Sequence, residues 1–365
     1  MVLQPLIVAV FASLLDQAPL DINTAGSWQL EQLPGIGAIT AERIVTFRER
    51  FGPFLELGDV AAVDGVSEDL LENLSGLATV VPDSSMLSDT SHWLAVDSMG
   101  PSLLDLVFLD VGNGDAILIR ATNGETWLVD GGPDEGGPVA PPIVAAILTA
   151  DVDTLDMVVL THPHADHVGG LDDVMQRFPV RRVLDPALDF ASPLYERFLE
   201  AVLDSKADYV RARKGMTFRL SPHVEARVLS AGPSAGLINV NDMGVVLLVS
   251  CGRFSALLTG DIEEAAEMAL FDTAEPVNLL KVPHHGSETS LFMPYLRRLR
   301  PQVGILTVGR DNPFGHPSSR ALSIYNGLGT TILRTDREGS ILIRTDGLGI
   351  RIEPIPAGDI FADIP

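Results

Sequence analysis

Three histidines and an aspartate lie within six residues in the segment THPHADHVGG, directly after the apolar run MVVL. Burying unpaired imidazole and carboxylate groups costs free energy, so such a cluster at the end of a buried strand needs compensation. His162 and His164 can share one metal ion, and Asp166 and His167 can reach a second ion beside it. Imidazole and carboxylate ligands suit Zn, Mn or Fe. The cluster therefore predicts a site for two divalent metal ions, with Zn or Mn expected.

Further ligand-type residues follow three other apolar runs. Asp130 follows TWLV, Asp261 follows SALLTG, and the pair His284 and His285 follows LLKVP. Four apolar strands that each end in histidine or aspartate indicate one shared site. The alternative is that each residue is a hydrogen-bonded cap or turn residue, and this alternative stays open for Asp130 in particular.

The elements that must position these residues begin near residue 103. Strand-like runs recur from LDLVFLDVG onward and include DAILIRA, VVLLVSC, VGILTVG and SILIRTD. Helical stretches lie between them at about 138–150, 169–178, 193–205, 262–271 and 317–328. Strands interleaved with helices predict layered α/β packing.

The region 103–350 resembles the metallo-β-lactamase superfamily, whose signature is His-x-His-x-Asp-His. More narrowly, it resembles the C-terminal domain of ComEC-type competence proteins. The supporting segments, in family order, are LDVGNGDAILI, LVDGG, LTHPHADHVGG, LLTGDI, LKVPHHGS, FGHPS and RTDREGSILI. The resemblance implies an α/β fold, the αββα sandwich, for a hydrolase domain over 103–365, with a dinuclear metal site between the sheet edges.

The resemblance also implies roles for individual residues. Asp261 becomes the carboxylate that bridges the two ions, and His285, in PHHGS, is favoured over His284 as the last ligand. Asp130 becomes a residue that orients a ligand histidine. The usual Gln of the family's VGQGD segment is Asn113 here.

The superfamily's third histidine has no clear match in this chain. His223 is the only histidine between residues 168 and 260, and it stands at the start of a strand-like run. ComEC-type domains have an asparagine before the next strand instead, which corresponds to Asn241 of NDMGVVLL. The first metal ion could therefore be completed by Asn241 or by water.

Two divalent cations held close together lower the pKa of a water between them and offset charge on a tetrahedral oxyanion. The natural reaction is hydrolysis, with a phosphodiester as the first choice of substrate. Asp166 and Asp261 are then catalytic as well as ligands, and His284 and His316 are candidate proton donors for the leaving alkoxide. His316 could equally be a turn residue before Pro317.

A second motif, LPGIG, lies between two helical patterns in the segment 20–80. Gly35 and Gly37 permit a tight turn that exposes N–H groups at the start of the second helix, which suits a phosphate. The surrounding stretch resembles the DNA-binding domain of ComEA. The resemblance implies a small all-α helix-hairpin-helix domain that binds duplex DNA without sequence specificity through Gly35, Ile36 and Gly37.

The charge balance opposes nucleic-acid binding at long range. The chain carries a formal net charge of −24, and residues 1–102 hold 14 acidic and only 3 basic residues. DNA affinity usually comes from neutralising phosphates. Arg43, Arg48 and Arg50 cluster behind the hairpin and could supply the charge locally. DNA remains the predicted partner, and the sequence indicates no particular protein partner.

Two remaining segments, 1–19 and 81–102, bear on where the protein is located and on how its two domains are connected. Residues 1–19 resemble a signal peptide without its basic start, which favours export to the periplasm or beyond over the cytoplasm; the alternative is an N-terminal helix. The apolar stretches are too short for an integral membrane span. Residues 81–102 read as a linker rich in Ser, Asp and Pro. A single cysteine, Cys251, excludes an internal disulfide and a thiolate zinc cluster.

These features together predict a metal-dependent hydrolase, a phosphodiesterase or nuclease that acts on DNA in its uptake or processing. Two alternatives stay open. The first is a metallo-hydrolase of a small phosphodiester, a lactone or a thioester. The second is a non-catalytic DNA-uptake adaptor whose metal ions are structural.

Overall fold

The computed structural model describes residues 18–54, 56–81, 100–134, 142–149 and 152–355. The chain divides into two compact units, Met1–Asp89 and Thr90–Pro365. The predicted N-terminal segment 1–19 and the predicted linker 81–102 lie almost entirely outside the described residues. Among the helices that are described, none combines the length and apolar character needed to cross a bilayer.

The first unit is built around a helical hairpin. Its helices are α1 (Ser27–Leu30), α2 (Ala38–Phe51) and α3 (Glu68–Leu74). A 3-10 helix, Leu57–Ala62, precedes α3. Two short parallel strands, β1 (Leu20–Asp21) and β2 (Ala78–Thr79), pair near the two ends of the described part of this unit. The buried faces of α2 and α3 provide its apolar core, which includes Ile44, Phe47 and Leu74.

The second unit contains two stacked sheets. The first sheet has eight strands in the order β17-β16-β3-β4-β5-β6-β7-β8. Their bounds are β3 Leu104–Phe108, β4 Ile117–Ala121, β5 Thr126–Val129, β6 Met157–Val159, β7 Arg182–Asp185, β8 Asp208–Arg211, β16 Ser340–Thr345 and β17 Ile350–Ile355. The strands β5 to β8 run parallel to one another, and the others pair antiparallel.

The second sheet has seven strands in the order β15-β14-β13-β12-β11-β10-β9. Their bounds are β9 Thr217–Arg219, β10 Val224–Ser230, β11 Val246–Cys251, β12 Phe254–Leu258, β13 Leu279–Lys281, β14 Val303–Leu306 and β15 Thr331–Arg334. The strands β12 to β15 are parallel. Each sheet therefore contributes a parallel half whose carboxyl ends can carry a site.

Helices cover the outer faces of the sheets. They are α4 Pro142–Thr149, α5 Ala165–Val168, α6 Leu171–Arg177, α7 Pro193–Ser205, α8 Glu264–Leu270, α9 Met293–Leu299, α10 Ser319–Gly327 and α11 Thr335–Glu338. Successive strand residues point to opposite faces. Leu106 and Phe108 accordingly pack between the sheets, whereas Val107 packs against the helices. The predicted α/β sandwich with a helical N-terminal domain is confirmed.

Candidate metal centre

The loop after β6 carries the histidine cluster. The backbone of His164 is extended, with φ −71° and ψ 155°, and His164 is the N-cap of the single turn α5. This turn brings Asp166 and His167 to one side. The glycine of the NGD segment closes the loop from the other side: a Cβ on Gly114 would lie 2.1 Å from the carbonyl oxygen of Asp166, and Gly114 has φ +135°. Glycine is required there for both reasons.

Four donors from three loops converge at the sheet edges. The ligand atoms of Asp166, His167, Asp261 and His285 all lie within 4.8 Å of one another. Asp261 Oδ2 lies 3.2 Å from His167 Nε2 and 3.3 Å from His285 Nε2. Asp166 Oδ2 lies 3.4 Å from His285 Nε2 and 3.8 Å from His167 Nε2. The sequence motif, the strand-end aspartate and the PHHGS histidine thus meet at one point.

The residues present fit a divalent metal ion. His167 Nε2 and His285 Nε2 are buried and have no hydrogen-bond partner among the described residues. A buried ring nitrogen without a partner is costly, and buried polar groups are nearly always satisfied. Two imidazoles with two carboxylates are a donor set that Zn²⁺ and Mn²⁺ accept. A cation among these four groups would satisfy both nitrogens.

His162 and His164 form a second pair beside these four donors. His162 Nε2 lies 3.0 Å from His164 Nδ1, and the rings of His162 and His167 have centroids 4.1 Å apart. Asn241, which the family resemblance suggests as a ligand beside this pair, is buried. Its Nδ2 donates to Glu263 Oε1 at 3.2 Å, and its Oδ1 has no hydrogen-bond partner in the described part of the chain. His223 is exposed in a turn before β10 and does not join the site.

Electrostatics couples the four donors. Burial alone would lower the pKa of His167, but the carboxylates of Asp261 and Asp166 raise it well above its usual value. Burial also opposes protonation of His285, yet Asp261 raises the pKa of His285 to about 9. Burial would raise the pKa of Asp261, and His285 and His167 hold it well below its usual range. The carboxylates therefore favour the protonated forms of both imidazoles.

Hydrogen bonds fix the orientation of both ligand-type imidazoles. Asp130 is fully buried, and its Oδ2 accepts from His167 Nδ1 at 2.8 Å. Its carboxylate also accepts from Thr161 N at 2.7 Å and from Thr161 Oγ1 at 2.6 Å. His285 Nδ1 lies 2.7 Å from the Thr307 carbonyl oxygen, to which it donates. In each ring, Nδ1 is engaged and Nε2 faces the centre, as in histidines that bind metal ions.

The pair His284 and His285 has an unusual backbone. Both residues are left-handed, with φ 46° and 53°, a conformation that costs a non-glycine residue free energy. His285 is buried in the centre, whereas the side chain of His284 is 24% exposed. His284 Nδ1 lies 3.2 Å from Glu263 Oε1, and its Nε2 lies 3.9 Å from Asp261 Oδ2. His316 is a neighbour of His284, at 5.7 Å between ring centroids.

Sequence reasoning missed two residues next to the centre. Asp115, from the NGD segment, and Lys281, on β13, are both buried, and Lys281 Nζ lies 2.7 Å from Asp115 Oδ2. A signal was available for Lys281, since it is one of three lysines and stands in an otherwise apolar strand. A lysine in such a strand is rarely buried unless it is paired.

In the first unit, the hairpin residues differ in exposure. Gly35 has φ +83° and is exposed, and Gly37 is the exposed N-cap of α2. The side chain of Ile36 is buried at 4% exposure, so only its backbone could meet a ligand. Two of the arginines expected to supply local charge are engaged within the unit. Arg43 pairs with Asp64 at 2.9 Å, and Arg48 donates to the Ile22 carbonyl.

Comparison with known proteins agrees with this geometry. Residues 109–310 match the sequence profile of the metallo-beta-lactamase superfamily. The chain belongs to this superfamily. Residues 16–79 match the helix-hairpin-helix motif.

The chain is also similar to three curated bacterial proteins. ComE operon protein 3 of Bacillus subtilis is 26% identical over 253 residues, 65% of this chain and 32% of that protein. Recombination protein 2 of Haemophilus influenzae is 30% identical over 237 residues, 64% of this chain and 28% of that protein. Protein YcaI of Escherichia coli is 30% identical over 260 residues, 70% of this chain and 32% of that protein. The chain thus spans about a third of the length of these relatives, and the predicted ComEC-type resemblance with a helix-hairpin-helix domain is confirmed.

Proposed function

We propose that this member of the superfamily is a metal-dependent phosphodiesterase that cuts DNA. The observation that carries the proposal is the buried group of Asp166, His167, Asp261 and His285, in which two imidazole Nε2 atoms face Asp261 at 3.2 and 3.3 Å without hydrogen-bond geometry among the described residues. These four residues would hold one divalent ion, and His162 and His164, with Asn241 or water, would hold a second. Bound divalent ions would activate a water molecule and offset negative charge on the phosphate oxygens.

The chain's own groups would handle the leaving group. In phosphodiester hydrolysis a water oxygen attacks phosphorus, the phosphorus–oxygen bond to the leaving group breaks, and the leaving oxygen takes a proton. His284 is the first candidate for that proton donor, since it is partly exposed and its Nε2 is 3.9 Å from Asp261 Oδ2. Glu263 orients the ring through Nδ1. His316 is the second candidate, at the far side of His284.

An exposed aromatic ring beside the histidine group favours a nucleic acid over a small ester. Phe190 lies against His164 with ring centroids 5.4 Å apart. Phe314 lies against His316 at 6.2 Å and is 71% exposed. Exposed rings are platforms on which bases stack, worth about 1–3 kcal/mol per base.

The helix-hairpin-helix unit supports DNA as the polymer. Its glycines at 35 and 37 are exposed at the start of α2, a helix of 14 residues. Backbone N–H groups at a helix N-terminus attract phosphate. We assign this unit the task of holding DNA, and the catalytic unit the task of cutting it. The names of two relatives, ComE operon protein 3 and Recombination protein 2, suggest that this occurs in DNA uptake or processing.

The deciding experiment incubates metal-free protein, reloaded separately with Mn²⁺ and Zn²⁺, with single-stranded DNA, double-stranded DNA and an aryl phosphodiester. We expect metal-dependent cleavage of DNA that is absent in Asp261→Ala. Turnover of the aryl phosphodiester without DNA cleavage would refute the nuclease and favour a small-ester hydrolase. Bound metal without turnover of any ester would refute the enzyme altogether and favour an adaptor.

A further inference from the structure

Lys281 places a positive charge inside the candidate metal centre. Its side chain is 0% exposed, and its Nζ lies 2.7 Å from Asp115 Oδ2 and 3.5 Å from Asp261 Oδ1. It also donates a hydrogen bond to the Gly260 carbonyl oxygen at 3.2 Å. Burying an ammonium group is expensive even when it is paired, so a buried ion pair is weak evidence of a stabilising role. The position of the Lys281 ammonium group beside a candidate metal site therefore needs another explanation.

We propose that Lys281 is a positioning residue of the metal centre. The ammonium group fixes the orientation of two candidate ligands, Asp261 and His285, through separate contacts. The inference rests on the proposed metal centre and not on the identity of the substrate.

The first contact acts on Asp261 directly. One oxygen of this carboxylate, Oδ1, faces Lys281, and the other, Oδ2, faces the Nε2 atoms of His167 and His285 at 3.2 and 3.3 Å. A carboxylate that lost its partner on the Oδ1 side could rotate and offer either oxygen or both. Lys281 therefore restricts Asp261 to a single oxygen facing the two imidazoles.

The second contact reaches His285 through two intermediate residues. Asp115 Oδ2 pairs with Lys281, and Asp115 Oδ1 accepts from the Thr307 hydroxyl. The backbone carbonyl of Thr307 in turn accepts from His285 Nδ1 at 2.7 Å. All four residues are buried, so a shift of Asp115 is transmitted to the imidazole rather than absorbed by solvent. One ammonium group thus supports two ligands that come from different loops.

The positioning role and simple electrostatics predict opposite effects. If Lys281 acted only through its charge, its removal would leave the pocket more negative and would tighten binding of a divalent ion. If Lys281 positions the ligands, its removal weakens binding, and losses of about 10- to 100-fold are typical when a residue that orients a metal ligand is changed. The sign of the change therefore separates the two roles.

The test uses Lys281→Met, which keeps a long, unbranched side chain and removes its positive charge. The matched control is Leu279→Ala, on the same strand and equally buried, which creates a cavity in the core without touching the centre. Metal-free full-length protein is titrated with Mn²⁺ for affinity and with Co²⁺ for the visible absorption spectrum. We expect Lys281→Met to bind Mn²⁺ at least about 10-fold more weakly with an altered Co²⁺ spectrum, and Leu279→Ala to keep both wild-type values.

Two results would overturn the inference. Wild-type affinity and spectrum in Lys281→Met would show that Lys281 forms only a structural ion pair. Tighter metal binding would show that Lys281 acts only through its charge. If Lys281→Met does not fold, the variant Asp115→Asn with Lys281→Met removes both charges and avoids an unpaired buried carboxylate. Weak metal binding in the folded double variant supports positioning, and wild-type binding refutes it. Failure of the wild-type protein to bind metal would instead refute the proposed metal centre.

Discussion

Metal binding to this protein should release protons, and this follows from the pKa values of the candidate ligand imidazoles. The pKa of His285 is raised to about 9, because Asp261 outweighs burial, and the pKa of His167 also lies well above 6.5. At pH 7 the imidazole of His285 is therefore protonated in the metal-free protein, and the carboxylates favour the protonated form of His167 as well. A metal ion needs the neutral Nε2 lone pair, so each ring that binds must first lose its proton.

The magnitude follows from the difference between the pKa of His285 and the working pH. Deprotonating a group with a pKa of about 9 at pH 7 costs about 3 kcal/mol, or about a hundredfold in apparent metal affinity. Apparent affinity should rise about tenfold per pH unit from pH 7 to 9 if one proton is displaced, and more steeply if His167 loses a second.

As pH rises from 7 to 9, the stability of the metal-free protein should fall while its apparent metal affinity rises. A raised histidine pKa stabilises the folded protein fully below the unfolded value of about 6.5 and loses this contribution as pH rises through about 9. The span corresponds to about 3 kcal/mol. The lowered pKa of Asp261 describes the same ion pair, so the two contributions are not added.

Calorimetric titration with Mn²⁺ in two buffers of different ionisation enthalpy measures the number of protons released. We expect one to two protons at pH 7, and fewer at pH 9.5. His285→Ala is the control and should release one proton fewer while binding more weakly. A binding enthalpy that is independent of buffer at pH 7 would show that the imidazoles are already neutral, and the electrostatic reasoning about the empty site would be wrong.

Four other predictions concern the proposed reaction. Asp261→Ala should lower kcat for DNA by at least ~10²-fold, as for loss of a central electrostatic group, and near-wild-type turnover would exclude the proposed centre. His285→Ala should lose metal by elemental analysis, whereas His284→Ala should keep metal and lose rate; equal metal loss would remove the case for His284 as an acid. Phe314→Ala should raise KM for single-stranded DNA about fivefold or more and leave the aryl phosphodiester unchanged, and a shift on both substrates would argue against base stacking. Gly37→Glu should raise KM for long duplex DNA at low salt, while Gly37→Ala, whose added Cβ meets no atom within 4 Å, should not; equal behaviour would exclude an anion site at the hairpin.

Much of the fold follows from local patterns in the sequence. The predicted helix over 193–205 is confirmed as α7, Pro193–Ser205. A proline in its first turn and a regular apolar face are both local signals that can be read from this segment alone. The predicted helix over 138–150 is confirmed for Pro142–Thr149, and its other residues lie outside the described part of the chain. The helix Met293–Leu299 was not predicted, because its 7 residues, which include a proline and two arginines, are too few to show a helical repeat.

Some residues of the site can likewise be predicted from the local sequence, whereas others depend on contacts between distant segments. The residues of the 162–167 cluster lie together because they are close in sequence. The carboxyl ends of the parallel strands β5, β6, β12 and β13 then bring the other loops to the same site. The pairs that support the ligands are different. Thr307 reaches Asp115 over 192 positions in sequence, and Lys281 reaches the same carboxylate from the opposite sheet. No local pattern encodes such a pair, because it depends on how two sheets pack.

The charge of the centre explains how an acidic chain could accept a polyanion. Four buried or partly buried carboxylates, Asp115, Asp130, Asp166 and Asp261, face one ammonium group, Lys281. With neutral imidazoles this leaves three negative charges, which two divalent ions would convert to one positive charge. The field at the centre would then be set by the metal ions and not by the net charge of −24, since charges on the distant surface are screened within about 8–10 Å. A phosphodiester would be repelled by the empty site and attracted by the loaded one, so metal binding would govern substrate binding as well as chemistry.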